Sequence, residues 1–285
     1  MSLPLKPMAV FGLLKELRVA TTDDKPLAVG GALAAQLEKE LVKGGDARAV
    51  RTGGPEGAAA YVHVLAAAPS DEDEAVLKRA HRARVPIVAL ARERYHDVPY
   101  VLATDVVVVP PGRGFPLDAL AHALAARLGE HGTSLAARLP VLRPAVCEWL
   151  IASFARKNGI LAAAVFVPGA DLPVLTLNQM RLVLRLAAAH GVEVSNDRLP
   201  ELVAVLGGGL GLRAVARELA DLVPGVGWAV KGTIAYTGTR ALGEAAVRYF
   251  AARIETEGAG PSPAPSSRRG RRLRRRRDNA TGAAA

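Results

Sequence analysis

The stretch PLAVGGALAAQLEKELVKGG, residues 26–45, decides the fold class. Leu27–Val29 is a short apolar run. Two glycines follow, and apolar residues then recur at Leu33, Leu37, Leu41 and Val42, the spacing of one helix face. Gly44-Gly45 supplies a stop. The pattern is a strand, a glycine turn and a helix. Working outward, Ala47–Val50 and Tyr61–Ala66 read as strands. Ser70 with Asp71-Glu72-Asp73-Glu74 opens a helix carrying Val76, Leu77, Ala80 and Ala83. Pro86–Leu90 reads as a strand, and Val101–Val109 as a longer one broken by Asp105. Leu117, Leu120, Leu124 and Leu128 mark an amphipathic helix. Strands alternating with helices predict a parallel sheet with crossover helices, about five strands over 26–130. Continuous apolar strands fit a sheet buried on both faces.

The composition agrees. The chain has 285 residues, 50% hydrophobic and 22% charged, which excludes wholesale disorder. Only 4% is aromatic while 54 residues are alanine, so small and branched side chains must build a close-packed interior. The single cysteine, Cys147, excludes a disulfide framework and reads as a helix-face residue. The net charge of +10 is unevenly spread. Residues 258–285 hold eight arginines against Asp278, a balance of +7, which leaves +3 for residues 1–257. The high isoelectric point is a property of the tail and does not mark a basic face on the body.

The second half has a helical texture. Residues 129–145, with Gly, Ser and two prolines, read as a connector. Asn158–Met180 carries only Asp171 as a charge, but Pro168 and Pro173 predict a broken or hairpin segment rather than a straight span. Thr176–His190 reads as a helix, with Thr176 and Gln179 at capping-box spacing and Gly191 at its end. Leu199–Leu222 and Trp228–Glu255 read as further helical stretches. The last segment, proline-rich and then arginine-rich, reads as low-complexity. The expected organisation is an arm at 1–25, an α/β domain at 26–130, a linker at 131–145, a helical domain at 146–256 and a basic tail at 257–285, disordered by composition.

Two stretches carry a resemblance. FVPGADLPVLTLNQMRLVLRLAAAHG (166–191) and LPELVAVLGGGLGLRAVARELADLVPGVGWAVKGTIAYTGTRALGEAAVRYF (199–250) resemble the YcjF-type helical domain, a bacterial family of unknown function. The resemblance implies a helical, membrane-associated domain of the inner membrane, linked to small GTPase domains. It brings no catalytic residues. The first half resembles a GTPase-type sheet in layout, a degenerate one. Phosphate cradling needs glycines with Lys and Ser/Thr. Here Gly30-Gly31-Ala32-Leu33-Ala34 follows the first strand, and no Gly-Lys-Ser/Thr occurs. Ala91-Arg92-Glu93-Arg94 stands where a guanine-selecting Asn/Thr-Lys-x-Asp turn belongs, and residues 44–60 are too few for switch regions. Missing the lysine and the metal hydroxyl removes several kcal/mol of charge stabilisation, so no GTP hydrolysis is expected.

Candidate sites each have a structural reading. Asp71–Glu74 meets a helix dipole more simply than a metal. Gly53-Gly54-Pro55-Glu56-Gly57 reads as a surface turn. Arg113, in the loop at a strand's carboxyl end, is a candidate anion contact. Gly207 and Gly211, with Thr233, Thr237 and Ala241, form small-residue rows suited to close helix packing. Asp171, Arg181, Arg185, Arg213, Arg217, Glu218, Asp221, Arg240 and Glu244 read as a structural ion-pair network in the helical part, with Arg217–Asp221 and Arg240–Glu244 at i, i+4. The histidines at 63, 81, 96, 122, 131 and 190 show no metal-ligand spacing, and no Gly-x-Ser-x-Gly elbow occurs.

Arg268, Arg269, Arg271, Arg272, Arg274, Arg275, Arg276 and Arg277 attract anionic lipid at about 1 kcal/mol per charge. They attract nucleic-acid phosphates by the same means, although no aromatic residue interleaves them for stacking. Lys6, Lys15, Pro7 and Gly12 do not compose a secretory signal. The expectation is a non-catalytic scaffold or regulatory protein without cofactor, on the cytoplasmic face, peripheral to or partly inserted in the inner membrane through anionic lipids. A protein partner or oligomerisation stays open. The alternatives are a nucleotide-binding regulator without a P-loop and a nucleic-acid binder run by the tail.

Overall fold

The computed structural model describes residues 24–93, 97–164, 172–192 and 227–258. The described residues up to Phe250 belong to one compact unit. Residues 251–285 form a second, of which 251–258, the end of the last helix, are described.

Five parallel strands make one sheet: β1 Leu27–Gly31, β2 Val50–Thr52, β3 Ala60–Leu65, β4 Ile87–Ala91 and β5 Val106–Val108. Their order is β2-β1-β3-β4-β5, the flavodoxin-like doubly wound order. Pairing is in register from Leu27 with Ala60 and from Tyr61 with Ile87. Helices α1 (Ala34–Leu41), α2 (Asp71–Arg82) and α3 (Leu117–Leu128) follow β1, β3 and β5. The expected α/β class with a helical second part is what the structure has.

Side-chain alternation divides the core. Leu27, Val29, Val62, Val64, Val88 and Leu90 point to the face covered by α1 and α3, and that core continues into the helices beyond. Ala28, Tyr61, Leu65, Ile87 and Ala89 point to the other face, covered by Leu77 and Ala80 of α2. Helix α2 starts at a full capping box, in which the Ser70 hydroxyl accepts from Asp73 N and the Asp73 carboxylate accepts from Ser70 N at 3.0 Å.

Two strand readings are corrected. Ala47–Ala49 is a 3-10 turn, because the Asp46 carboxylate caps it by accepting from Arg48 N at 2.9 Å; the strand begins only at Val50. Ala103–Asp105 is likewise a 3-10 turn, and β5 is confined to Val106–Val108. Asp105 is buried there in an ion pair with Arg127 of α3.

The segment expected as a linker is helical. Gly129–Gly132 is a 3-10 turn, α4 spans Thr133–Arg138, and Pro140–Leu142 is a further 3-10 turn. Leu135, Ala136, Leu139 and Leu142 are fully buried in the same core as the sheet. Arg138 holds the segment to the sheet side through Asp46 at 3.1 Å and the Asp24 carbonyl at 3.1 Å.

Helix α5 (Arg143–Ala164) is followed by α6 (Leu172–Ala189) and α7 (Gly227–Gly258). Residues 165–171, with Pro168 and the middle of the segment expected to be broken, lie outside the described residues. Thr176 and Gln179, however, lie inside α6, which already starts at Leu172 with Pro173 in its first turn, where proline loses no hydrogen bond. Gly191 takes the left-handed C-terminal position at φ +72°, and Val192 N donates to Ala187 O at 3.0 Å. The Arg143 guanidinium donates to carbonyls at the ends of both α4 and α6, Ala137 at 3.4 Å and Ala189 at 3.1 Å. Cys147 is buried, and burial pushes its thiol up to about 12.

Helices α5 and α7 run antiparallel and touch through glycine. A Cβ on Gly159 would lie 3.2 Å from Gly232 O, and a Cβ on Gly243 would lie 2.6 Å from Ile151 Cγ1. Close packing therefore uses the row Gly232, Thr239, Gly243, Ala246 and Phe250. Thr233 and Thr237 are exposed instead, and the Thr237 hydroxyl donates to its own helix at Thr233 O, 2.9 Å. Gly207 and Gly211 lie outside the described residues. Among the described residues no helix is long and apolar enough to cross a membrane.

Gly159→Val will destabilise the protein by about 1–3 kcal/mol through overpacking. Gly238→Ala, at an exposed helical position with open space around it, will be neutral or stabilising by up to about 1 kcal/mol. Urea unfolding midpoints of the two variants check the contrast.

Candidate functional site

Open parallel sheets bind ligands outside the carboxyl ends of their strands, where the strand order reverses. Here that point lies between β1 and β3, because the chain moves from β1 to β2 on one side and then to β3 on the other. A cleft of about 510 Å³ sits there. Its walls are Gly30, Gly31, Ala32 and Ala34 after β1, Gly53 and Gly54 after β2, and Glu72, Asp73, Val76 and Arg79 of α2. Tyr61 and His63 of β3 back it.

The glycines are required by close approach. A Cβ at Gly30 would overlap the Tyr61 hydroxyl, and a Cβ at Gly31 would overlap the Val64 carbonyl. Gly31 also sits at φ +80°, where a side chain is strained. Leu33 is left-handed at φ 58° and caps α1 without a side-chain hydrogen bond. These residues form a sharp strand-to-helix turn whose inner surface is backbone.

Three polar side chains are joined behind the turn. His63, 2% exposed, lies 2.7 Å from Asp73 Oδ1 through Nε2 and 2.9 Å from the Tyr61 hydroxyl through Nδ1. The carboxylate can only accept, so the imidazole donates from Nε2, leaving Nδ1 as the acceptor of the neutral ring. Nδ1 then accepts the phenol proton. Burial pushes the Tyr61 phenol up to about 12, which keeps that proton on the oxygen. Burial also acts to raise the Asp73 carboxyl, but hydrogen bonds from Ser70 and His63 outweigh it and hold it below the usual carboxylate range.

At the rim, Glu56 and Arg79 approach to 3.5 Å, and Arg51 donates to the Glu56 carbonyl. The Glu56–Arg79 pair is exposed on both sides, so its contribution is at most about 1 kcal/mol and it can exchange partners.

The other candidates fall elsewhere. Arg113 is exposed in the loop after β5 and does not line the cleft. The Asp71–Glu74 run is the first turn of α2, and among the described residues no His, Cys, Asp and Glu group could hold a metal ion. In the helical part Arg185 is buried and lies 3.5 Å from Glu130, which also accepts from Lys157 at 3.1 Å. Arg240 and Glu244 do pair, at 3.0 Å, but on the exposed side rather than among buried charges. Arg181 is half-buried. Asp171, Arg213, Arg217, Glu218, Asp221 and the tail arginines lie outside the described residues. A second buried polar cluster of this part is uncharged. The Thr239 hydroxyl accepts from Asn158 at 3.0 Å and from Gln179 at 3.2 Å, and Asn158 accepts from Asn178 at 3.0 Å.

Sequence reasoning missed Tyr61 and His63 as site residues. The available signal was their i, i+2 spacing on a strand opposite the Gly30-Gly31 turn. Comparison of the chain with protein-family models, with curated proteins and with solved structures finds no match.

Tyr61→Phe leaves His63 Nδ1 without its donor and will cost about 1–3 kcal/mol. Asp73→Asn leaves one acceptor oxygen where the carboxylate has two, so it cannot serve both Ser70 and His63, and it will cost a similar amount. Because the folded Asp73 carboxyl titrates low, its contribution is present above its unfolded pKa near 3.8 and is lost as pH falls through the lower folded value. The stability gap between the parent and Asp73→Asn will therefore narrow below pH about 4. Denaturation at pH 3 and pH 7 measures it.

Proposed function

We propose that the protein is a non-catalytic, ligand-responsive regulator that holds a small molecule in the cleft between β1 and β3. The observation that carries this reading is the coincidence of three features at one point. They are the strand-order reversal, the side-chain-free glycine walls of two successive loops, and a hydrogen-bonded chain from buried Tyr61 and His63 to the half-buried Asp73 at the back of the cleft. A volume near 510 Å³ lies within the range of small-molecule sites, about 300–1,000 Å³. Rigid polar groups behind a backbone-lined wall favour binding over turnover. Nothing in the cleft supplies the lysine and metal hydroxyl that phosphoryl transfer needs.

Titration calorimetry of the full chain against nucleotides, nucleosides and sugars will give saturable binding by at least one of them. Ala32→Phe, which fills the cleft from a half-buried position, will weaken that binding at least about tenfold with unchanged circular dichroism. Absence of saturable binding by all of them overturns the reading.

A second reading concerns attachment. The eight arginines between 268 and 277, together with the YcjF-type resemblance of 166–191 and 199–250, support a scaffold held at an anionic membrane. The two readings combine naturally, with the cleft as input and the membrane as location. On vesicles containing phosphatidylserine the parent will float at low salt, and the form with all eight arginines replaced by glutamine will not. Flotation of both forms at high salt would assign the attachment to apolar helices instead. Retention of DNA in place of vesicles would favour nucleic acid as the tail's partner.

A further inference from the structure

Glu72, Val76 and Arg79 are spaced i, i+4 and i+7 on α2 and all line the cleft. At about 1.5 Å rise per residue they mark out one wall roughly 10 Å long, acidic at one end, apolar in the middle and basic at the other. The groups on this wall are not equally engaged. Asp73 spends one carboxylate oxygen on His63 and the other on Ser70. Arg79 is drawn to Glu56. Glu72 has neither an ion pair nor a hydrogen bond among the described residues, so its carboxylate is the open acceptor of the cleft. The facing wall is Gly30, Gly31, Gly53 and Gly54, which lets a flat ring lie against backbone.

The charge balance selects among ligands. Two carboxylates and one guanidinium line the cleft, no lysine does, and the guanidinium already has a partner. A triphosphate would bring its charge against Glu72 and Asp73 with too few cations to answer it. A group with hydrogen-bond donors meets the opposite situation, because a carboxylate accepts from two neighbouring hydroxyls at once.

Resting on the ligand-binding reading above, we propose that the cleft takes an uncharged ring bearing adjacent hydroxyls, a ribonucleoside or a free sugar without phosphate. The hydroxyls lie on Glu72, the ring lies between Val76 and the glycine wall, and the Arg79 end takes a ring or carbonyl acceptor.

The test is titration calorimetry of the full chain with adenosine, guanosine, uridine, ribose and glucose, with the matching 2-deoxy or 2′-deoxy analogues, and with ATP and GTP. At least one uncharged diol ring will bind saturably, and its deoxy analogue will bind about tenfold more weakly or worse. Glu72→Gln, an exposed substitution that preserves the fold, will lose a similar factor for the diol ligand and will erase the preference over the deoxy analogue. Nucleoside binding with free ribose at least 100-fold weaker identifies the ring source as a nucleoside, and the reverse identifies a sugar. The proposal is overturned if ATP or GTP binds at least tenfold more tightly than the nucleosides, if diol and deoxy ligands bind alike, or if Glu72→Gln leaves their ratio unchanged. In each of those cases the cleft remains a ligand site. If nothing binds, the ligand-binding reading fails with it.

Discussion

Parallel strands joined by crossover helices place helices against both faces of a sheet, so neither face can be left to water. That requirement organises the molecule. One face is closed by Leu77 and Ala80 of α2, joined by Val85 and Val98 from the segments around β4. The other is closed by α1 and α3, and α3 packs against the helices beyond as well. Leu120, Leu124 and Leu128 belong to the same core as Leu135, Leu142, Phe154 and Leu186. The helical part is thus the continuation of the sheet's cover, up to Phe250 of α7.

The alanine-rich composition makes that continuation possible. Helices that carry glycine and alanine at their contacts approach closely, and the contact of Gly159 with Gly232 needs that closeness. Close approach leaves little room for large polar groups. Among the polar side chains that do enter, Asn158, Gln179 and Thr239 satisfy one another. Their geometry ties α5, α6 and α7 at one level, which sets the helices' relative heights more sharply than alanine contacts can.

The same principle of missing side chains builds the cleft. Tyr61 occupies space next to Gly30 that a Cβ would take, and from there it reaches His63. His63 in turn fixes Asp73, which caps α2. The glycine turn, the buried strand residues and the start of α2 therefore form one mechanical unit. A ligand that touches the turn touches the capped end of the helix as well.

How much of this was legible depends on the range of the interactions. Residues 26–45 and Ser70–Glu74 disclose a strand, a turn and two helix starts, because periodicity and capping are local. The buried parallel sheet follows from the continuous apolar runs. Readings failed where a distant partner competed with local propensity. Asp105, held by Arg127, ends a 3-10 turn within an apolar run, and only the short cap from Asp46, two residues from its donor, is a local signal that the pattern concealed. Residues 131–145 look like a connector until Leu135, Leu139 and Leu142 find the sheet's core and Arg143 finds the ends of α4 and α6. Thr233 and Thr237 have helical packing spacing, but only the partner helix decides that the neighbouring row, beginning at Gly232, faces inward. The candidate site is the extreme case. The amino-acid sequence by itself determined the fold class, the uneven charge and the lack of a P-loop lysine, since each is written in nearest neighbours or in composition. The tertiary structure alone decided that Gly30, Gly53, His63 and Glu72 share one cleft, since strand order is set by which apolar faces can be buried together.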